Sequence, residues 1–525
     1  MRSPVSCNTL RVPIRLRLVL TCLVAALSGC AYTGNWLHNG FKVGPDYHRP
    51  AAPVAEEWID FNDSRVISEQ NGVVDGDWWY VFNDPVIDQL VRTAFDQNLP
   101  LQTAGLRVLE ARALRGIAVG GLFPQRQTMN GAYQRIQISN QGNQFGVAPP
   151  FRAFDFWSTG FDAAWELDVW GRFRRDIESA DANLDASIED YDDILVTLIA
   201  ETAATYVQMR EFQQRINYAR SNVEAQKGSL KIASDRFEGG ATSKMDVTQA
   251  QSNVGLTDSL IPALESQLRQ ANNRLCILLG IPPRDLTVEL GSGPIPSAPN
   301  EVAVGIPAEL LRRRPDVRRA EREVAVQSAQ IGVAAADLFP AFTISGAMNW
   351  QAQKFGQMFT TGALAGNVGP SFNWNLLNYG RIVNNVRVQD ARFQQLAVTY
   401  QDTVLNANRE VEDALIGFMK SQERTAALRL AVEATKESVF LAETQYREGA
   451  TDFNRVFVLQ SELANQQDSL AVSEAEIALN LIAVYKALGG GWQIRFGSNL
   501  IPPIDAAVEG DLPPQPPEAI DAAEG

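Results

Sequence analysis
Apolar positions along this chain follow two periods. Phe393, Ala397, Tyr400, Val404, Ala407, Val411, Ala414 and Phe418 alternate steps of four and three residues, as in helices packed side by side at shallow angles. The same rhythm runs through Leu184, Ile188, Tyr191, Leu195, Leu198, Thr202, Thr205 and Met209, and from Val247 to Leu278. It predicts helices over about 100–122, 173–238, 246–280, 315–338, 382–447 and 455–488. At 1.5 Å per residue the 173–238 helix is ~100 Å long. Such seams suit a soluble coiled coil or a curved helical wall, and the period does not choose between them.

Between these stretches the period falls to two. Trp157, Thr159, Phe161, Ala163, Trp165 and Leu167 alternate with Ser158, Gly160, Asp162, Ala164, Glu166 and Asp168. Phe342, Ile344, Gly346, Met348 and Trp350 behave alike, as do Val368, Pro370, Phe372, Trp374 and Leu376. A less regular segment near 126–139 has Met129, Gly131 and Tyr133 on one face. Segments of ~10 residues with one apolar face and aromatics near their ends match transmembrane β-strands. Trp157, Phe161, Trp165, Phe342, Trp350, Phe372 and Trp374 would then face lipid. The alternative is a soluble sheet packed on one face, but no surplus amphipathic helix is evident to cover it. In lipid every backbone group must be paired, so an open four-stranded sheet is forbidden. Bacterial barrels start at about eight strands, so several chains must close one barrel.

The chain also repeats itself. Leu122-Phe123-Pro124 recurs as Leu338-Phe339-Pro340, an offset of 216, and Trp165-x-Leu-x-x-Trp170-Gly171-Arg172 recurs as Trp374-x-Leu-x-x-Tyr379-Gly380-Arg381, an offset of 209. The offset of 209 also relates Glu201 to Glu410, Gly240-Ala241-Thr242 to Gly449-Ala450-Thr451, and Leu279-Gly280 to Leu488-Gly489. One offset held this far marks a duplicated unit. The expected organisation is a leader, 1–29; an N-terminal segment, 30–85; repeat one, 86–281, with a β-hairpin at about 126–168; a Pro-rich linker, 282–304; repeat two, 305–490, with a hairpin at about 340–377; and a C-terminal segment, 491–525, ending in a Pro-rich acidic tail expected to be disordered. The fold class is an internally duplicated α+β membrane protein.

Composition narrows the chemistry. The chain is 45% hydrophobic, a globular value, with net charge −15. Removal of the leader, which holds four arginines and no acids, leaves 42 basic against 61 acidic residues, or −19. That disfavours nucleic acid and, if the acids face a lumen, favours cations. Two histidines, His38 and His48, make a His-based metal site or triad hard to build, and Cys30 and Cys276 alone remain after the leader. Cys276, on a seam, reads as a small buried apolar residue. Gly239-Gly240-Ala241-Thr242-Ser243-Lys244 is no Walker loop, and GxSxG and HExxH are absent. No enzyme, cofactor or metal is expected.

Residues 1–17 are basic, and Leu18–Leu27 are an apolar run too short to span a bilayer. Leu27-Ser28-Gly29-Cys30 resembles the bacterial lipobox. This implies cleavage between Gly29 and Cys30 and acylation of Cys30 on its sulfur and amino nitrogen. Ala31 stands where aspartate would resemble an inner-membrane retention signal, which points to the outer membrane.

Val43-Gly44-Pro45-Asp46-Tyr47-His48-Arg49-Pro50, Trp78-Trp79-x-x-Phe82-x-Asp84-Pro85, Leu167-Asp168-x-Trp170-Gly171-Arg172 and Leu310-Leu311-Arg312-Arg313-Arg314-Pro315-Asp316-Val317-Arg318-x-Ala320-Glu321 together resemble the TolC-like outer membrane factors, in their NodT/OprM-type lipoprotein branch. The resemblance covers nearly all of 27–495. It implies a homotrimer with a twelve-stranded β-barrel and a periplasmic α-barrel, the exit duct of a tripartite pump passing drugs or other small toxic compounds. Its partners would be a periplasmic adaptor, an inner-membrane transporter of the resistance-nodulation-division (RND) type, and outer membrane lipid. Metal-ion efflux, type I protein secretion and a poreless lipid-anchored coiled coil are the alternatives.

The resemblance also places a periplasmic tip and gate at the helix-turn-helix ends, with Gly240, Asp246, Gly449, Asn454, Arg455 and Val458 as candidates. Asp246 matches an acid that links neighbouring helices there. The family's pore-ring aspartate falls nine residues after the second turn's glycine, where this chain has Val458. The expectation is an Arg455–Asp246 contact with an apolar Val458 constriction.

Overall fold
The computed structural model describes residues 36–67, 76–137 and 153–497. The expected lipobox, Gly29, Cys30 and the acidic tail lie outside these residues. The described chain forms two compact units: one holds 36–51, 107–187 and 320–400, the other 52–106, 188–319 and 401 onward.

The elements are β1 (Val66–Ile67), α1 (Pro85–Gln97), α2 (Leu99–Gly120), β2 (Arg126–Gln137), β3 (Ala153–Leu167), α3 (Arg172–Glu238), α4 (Lys244–Leu278), β4 (Val302–Ala303), α5 (Pro315–Ala336), β5 (Ala341–Ala352), β6 (Leu364–Asn373), α6 (Arg381–Glu448) and α7 (Phe453–Ala487). The long helices come within two residues of the expected bounds. The strands differ more. β3 begins at Ala153, four residues before the alternation was read, and β6 ends at Asn373, so Trp374 and Leu376 lie beyond it. The linker is not featureless either, since Val302 and Ala303 pair in parallel with Val66 and Ile67.

In the first unit the strands form one antiparallel sheet in the order β2-β3-β5-β6. Residues 36–50 run along the start of α3. Val43 N donates to Trp170 O at 2.9 Å, and the Arg174 guanidinium donates to the carbonyls of Gly40 and Phe41 at 2.6 and 2.9 Å. Arg175 is nearly fully buried and donates to Val43 O and Gly44 O and to Asp46 Oδ1 at 3.0 Å. Further along, Tyr47 Oη donates to Glu321 Oε1 at 2.9 Å, and Arg49 pairs with the same carboxylate at 3.2 Å. The Val43–Pro50 motif is thus a strap whose polar groups close on α3 and α5.

The second unit packs helices. The N-cap side chain of Asp84 accepts from Val86 N at 2.9 Å, and Pro85 starts α1, where a missing N–H costs nothing. One face of α1 buries Ile87, Leu90, Val91, Ala94 and Phe95, each large side chain stabilising by ~1.5–3 kcal/mol. Against them lie Trp78, whose ring stacks on Tyr485 at 5.2 Å, and Trp79, whose indole donates to Asp88 at 3.1 Å. Leu195 and Met209 of α3 and Leu275 of α4, all on the heptads, are fully buried, and so are Ile199, Tyr206 and Cys276, which lie next to the seam positions.

Two charged clusters interrupt this core. Arg314 donates to Asp316 at 2.6 Å, to Glu410 at 2.8 Å and to Ala487 O at 2.9 Å, and these carboxylates hold its guanidinium in the charged form. Asp192 is fully buried, with Arg495 Nε at 3.0 Å and Arg318 Nη2 at 3.4 Å. Arg318 also meets Glu189 at 2.5 Å and lies over the Trp492 ring. Burial pushes the Asp192 carboxyl up to about 7, the arginines opposing the shift and Glu189 adding to it. Glu201 and Glu410, which recur across the duplication, accept from Arg274 at 3.2 Å and from Arg314.

Candidate functional site
The sheet carries two chemically distinct faces. Its register sets Met129 beside Phe161 and Phe161 beside Met348, Tyr133 beside Trp157, Trp165 beside Ile344, and Phe342 beside Phe372. Successive side chains point to opposite faces, so all of these share one face. Thr128, Asn130, Asp162, Asn349 and Asn367 occupy the other. Trp157, Phe161, Trp165, Phe342, Trp350 and Phe372 therefore share one face of the sheet. Trp374 instead lies just past the strand end, where its indole donates to Leu338 O at 3.0 Å.

Much of the apolar face is open. Met129, Tyr133, Phe161, Val368 and Phe372 are all exposed within the chain. Near one end, Tyr133 packs on Trp157 at 4.4 Å and Trp157 on Phe355 at 5.1 Å. The outer edges of β2 and β6 pair with nothing among the described strands. A sheet with exposed aromatics on one face, polar side chains on the other and two edges unpaired among the described strands leaves apolar surface and backbone hydrogen-bonding groups without partners within the described chain.

The helix-hairpin ends are built twice. Gly240 and Gly449 adopt φ +73° and +80°, the left-handed conformation that glycine takes without a Cβ clash. Ala241 N donates to Arg236 O and Ala450 N to Gln445 O, both at 2.8 Å, which ends α3 and α6 with the same cap. The Asp452 side chain caps α7 by accepting from Arg455 N at 3.2 Å.

Polar side chains tie the two hairpins together. Asp246 of α4 accepts from Thr242 Oγ1 and, at 3.1 Å, from Tyr446 Oη of α6. Burial raises the Tyr446 phenol above its ordinary value, so it remains a donor. Arg236 lies over the Tyr446 ring at 4.8 Å and donates to the Tyr446 carbonyl. Gln249 Nε2 donates to Asn454 Oδ1 at 3.3 Å. Higher on the hairpins, buried Gln460 accepts from Asn253 at 3.1 Å and donates to Ser229 at 2.8 Å and to Glu443 at 2.7 Å.

The Arg455–Asp246 contact does not form within the chain. Among the described residues Arg455 makes no ion pair, and its backbone N–H serves the Asp452 cap. Asp246 points instead to Tyr446, which the sequence reading missed because the partner lies 200 residues away and is uncharged. Arg455 and Val458 are exposed on α7 and line a groove with Asn454 and Leu441.

Among the described residues no group of His, Cys, Asp and Glu could hold a metal ion, and no helix is long and apolar enough to cross a membrane. The latter says nothing of a β-barrel.

Comparison with known proteins agrees with this architecture. Residues 90–281 and 306–490 match the family model described as "Outer membrane efflux protein", and the two matched stretches correspond to the two repeats. The chain is 31% identical to Nodulation protein T of Rhizobium leguminosarum bv. viciae, over 91% of this chain and 94% of that one. It is 27% identical to the cation efflux system protein CusC of Escherichia coli O6:H1, over 91% and 99%. Among solved structures, the outer-membrane channel OprN superposes with a TM-score of 0.80 at 35% identity, covering 86% of this chain and 99% of that one. With a duplicated sheet-and-hairpin architecture and these likenesses, the chain belongs to the outer membrane efflux protein family, and it is an efflux channel of the outer membrane.

Proposed function
We propose that three copies of this chain close one twelve-stranded β-barrel, continued by their long helices into a periplasmic tunnel. The assembly is the exit duct of a tripartite pump, docked to a periplasmic adaptor and supplied by an inner-membrane RND-type transporter. Mechanism here is conduction: the partner supplies energy, and this chain supplies the passage. The observation that carries the reading is the four-stranded sheet with an aromatic face and two unpaired edges, which only sister strands satisfy in lipid. Cys30 is the acylated residue, and several acyl chains there anchor the mature N-terminus at ~0.8 kcal/mol per buried methylene.

The tip closes the resting duct, with Tyr446–Asp246 and Gln249–Asn454 holding the two hairpins together. Val458 and Arg455, exposed on α7, line the constriction at the place where the family resemblance implies a carboxylate.

Reconstitution into planar bilayers tests the duct. The expected result is single-channel current from a detergent-stable trimer. A monomer that stays soluble without detergent after its lipid is removed refutes the reading.

A further inference from the structure
The two ends of the sheet differ. α2 and α5 run into it, and α3 and α6 leave it, at the end that holds Arg126, Leu167, Ala341 and Asn373. The opposite end, with Gln137, Ala153, Ala352 and Leu364, meets no long helix, and residues 353–363 turn there from β5 to β6. In the trimeric duct the helices point into the periplasm, so this helix-free end stands at the outer leaflet.

Five rings cluster on the apolar face at that end. Tyr133 packs on Trp157 and Trp157 on Phe355. Phe359 lies 6.5 Å from Phe355 and 6.3 Å from Trp350. Met358 and Ala363 are buried and pin the turn, while Phe355 and Phe359 stand 58% and 68% exposed. Trp165 lies eight residues from Trp157, about 26 Å along the strand. The two therefore stand near opposite borders of a barrel's apolar band, which is ~25 Å tall.

Just beyond the rings, on the same face, runs a row of charge. Arg135 is opposite Asp155 in the β2–β3 register, two positions past Tyr133 and Trp157. Its Nη1 donates to Asp155 Oδ1 at 2.9 Å, and Tyr133 Oη donates to the same oxygen at 3.1 Å. Arg135 is 65% exposed. Ala352 is opposite Trp157, and Lys354, extended at φ −125° and ψ 133°, continues that register to a place level with Asp155. Lys354 is exposed and makes no ion pair among the described residues. With neighbouring strands ~4.8 Å apart, the two cations stand about 10 Å apart at their Cα atoms, one carboxylate between them.

This positive end is unusual in a chain of net charge −15. Residues 133–157 and 350–365 hold Arg135, Arg152 and Lys354 against Asp155 alone; Arg152 lies outside the described residues. Charges on a barrel's lipid face are costly at the bilayer midplane and cost little at its interfaces, where headgroup phosphates lie.

We propose that this rim binds the diphosphorylated glycolipid of the outer leaflet, lipid A. Its acyl chains lie along Tyr133, Trp157, Trp350, Phe355 and Phe359, and its two sugar phosphates meet Arg135 and Lys354. Two cations ~10 Å apart fit two phosphates on one broad headgroup better than the single phosphate of a phospholipid. The site rests on the outer membrane duct reading and names the lipid that the duct's rim recognises.

Native mass spectrometry of the full-length trimer, stripped of lipid in detergent, tests the site. Diphosphoryl lipid A should stay bound at concentrations where phosphatidylglycerol does not. Arg135→Gln and Lys354→Gln should each weaken lipid A binding about fivefold, the worth of one cation at an anionic lipid surface. Asp155→Asn, which removes the competing acid, should tighten it by a like factor. A divalent-ion chelator should change nothing, since the cations are side chains. Equal binding of the two lipids, wild-type binding by the double glutamine variant, weaker binding in Asp155→Asn, or release by the chelator overturns the site.

Should a variant fail to fold, the wild type decides with monophosphoryl lipid A. It should bind more weakly than the diphosphoryl form, and equal affinity overturns the site. A trimer that conducts but shows no preference for lipid A loses the site and keeps the duct. A monomer that passes no current overturns both.

Discussion
Arg495 Nε lies 3.0 Å from Asp192 Oδ1, a carboxylate with no exposed surface. Burial raises this acid to about 7, above its value in an unfolded chain. Below the unfolded value both states are protonated and the carboxyl adds no penalty. As pH climbs toward 7 the unfolded state ionises first, and the native state loses relative stability. Asp192→Asn mimics the neutral form. The thermal midpoint of the wild type, relative to Asp192→Asn, should therefore fall between pH 4 and 8, which calorimetry in detergent reads. Parallel curves would show that Asp192 ionises normally.

Arg314 answers to Asp316, Glu410 and the Ala487 carbonyl at once. Arg314→Ala removes a buried guanidinium, but the carboxylates it leaves stay partly exposed to water, so the loss of these charged hydrogen bonds should cost about 1.5–3 kcal/mol. Arg314→Lys cannot make the two-pronged contact with Asp316 and should recover only part of the loss. Folded yield and thermal midpoint would rank wild type, Lys and Ala in that order.

At the hairpin ends, Tyr446→Phe removes the donor to Asp246 and leaves the ring in place. A hydrogen bond at a partly exposed carboxylate is worth about 1 kcal/mol, roughly fivefold in a two-state ratio. Resting conductance in bilayers should rise by about that factor in Tyr446→Phe and in Asp246→Ala, while Arg455→Ala, which breaks no link between the hairpins, should change ion selectivity more than closure. An equal rise in Arg455→Ala would restore the contact that is absent within one chain.

Val458→Asp places a carboxylate at an exposed position on α7. If the position lines the constriction, the three-copy ring becomes acidic and cation-over-anion permeability should increase, most at low salt. Reversal potentials in a salt gradient measure this, and an unchanged value would remove Val458 from the pore.

Cys30→Ser should abolish incorporation of labelled palmitate while the channel still conducts. Continued labelling would move the lipid attachment elsewhere.

Period-two alternation was enough to place the sheet's aromatic face, because each inward or outward position repeats across four strands. The heptads were enough for α3, α4 and α6, whose seams run for many turns. Val66–Ile67 pairing with Val302–Ala303 was invisible, since two residues carry no period and the partners lie far apart in sequence. Asp192 was equally hidden: within Glu189-Asp190-Tyr191-Asp192-Asp193 it reads as part of a solvated face, and only the packing of Arg318 and Arg495 makes it interior. The Asp246 partner was misjudged because charge suggested an arginine, whereas packing supplied a tyrosine hydroxyl.

The divergence of Trp170 from Tyr379 records what duplication made available. A chain of one repeat alone would need six identical subunits and six identical joints to close the proposed twelve-stranded barrel. In the proposed trimer, having two repeats in one chain makes alternate joints internal, formed during folding, and leaves three to be made by encounter. Each kind could then change without altering the other, so binding between subunits became adjustable independently of the fold.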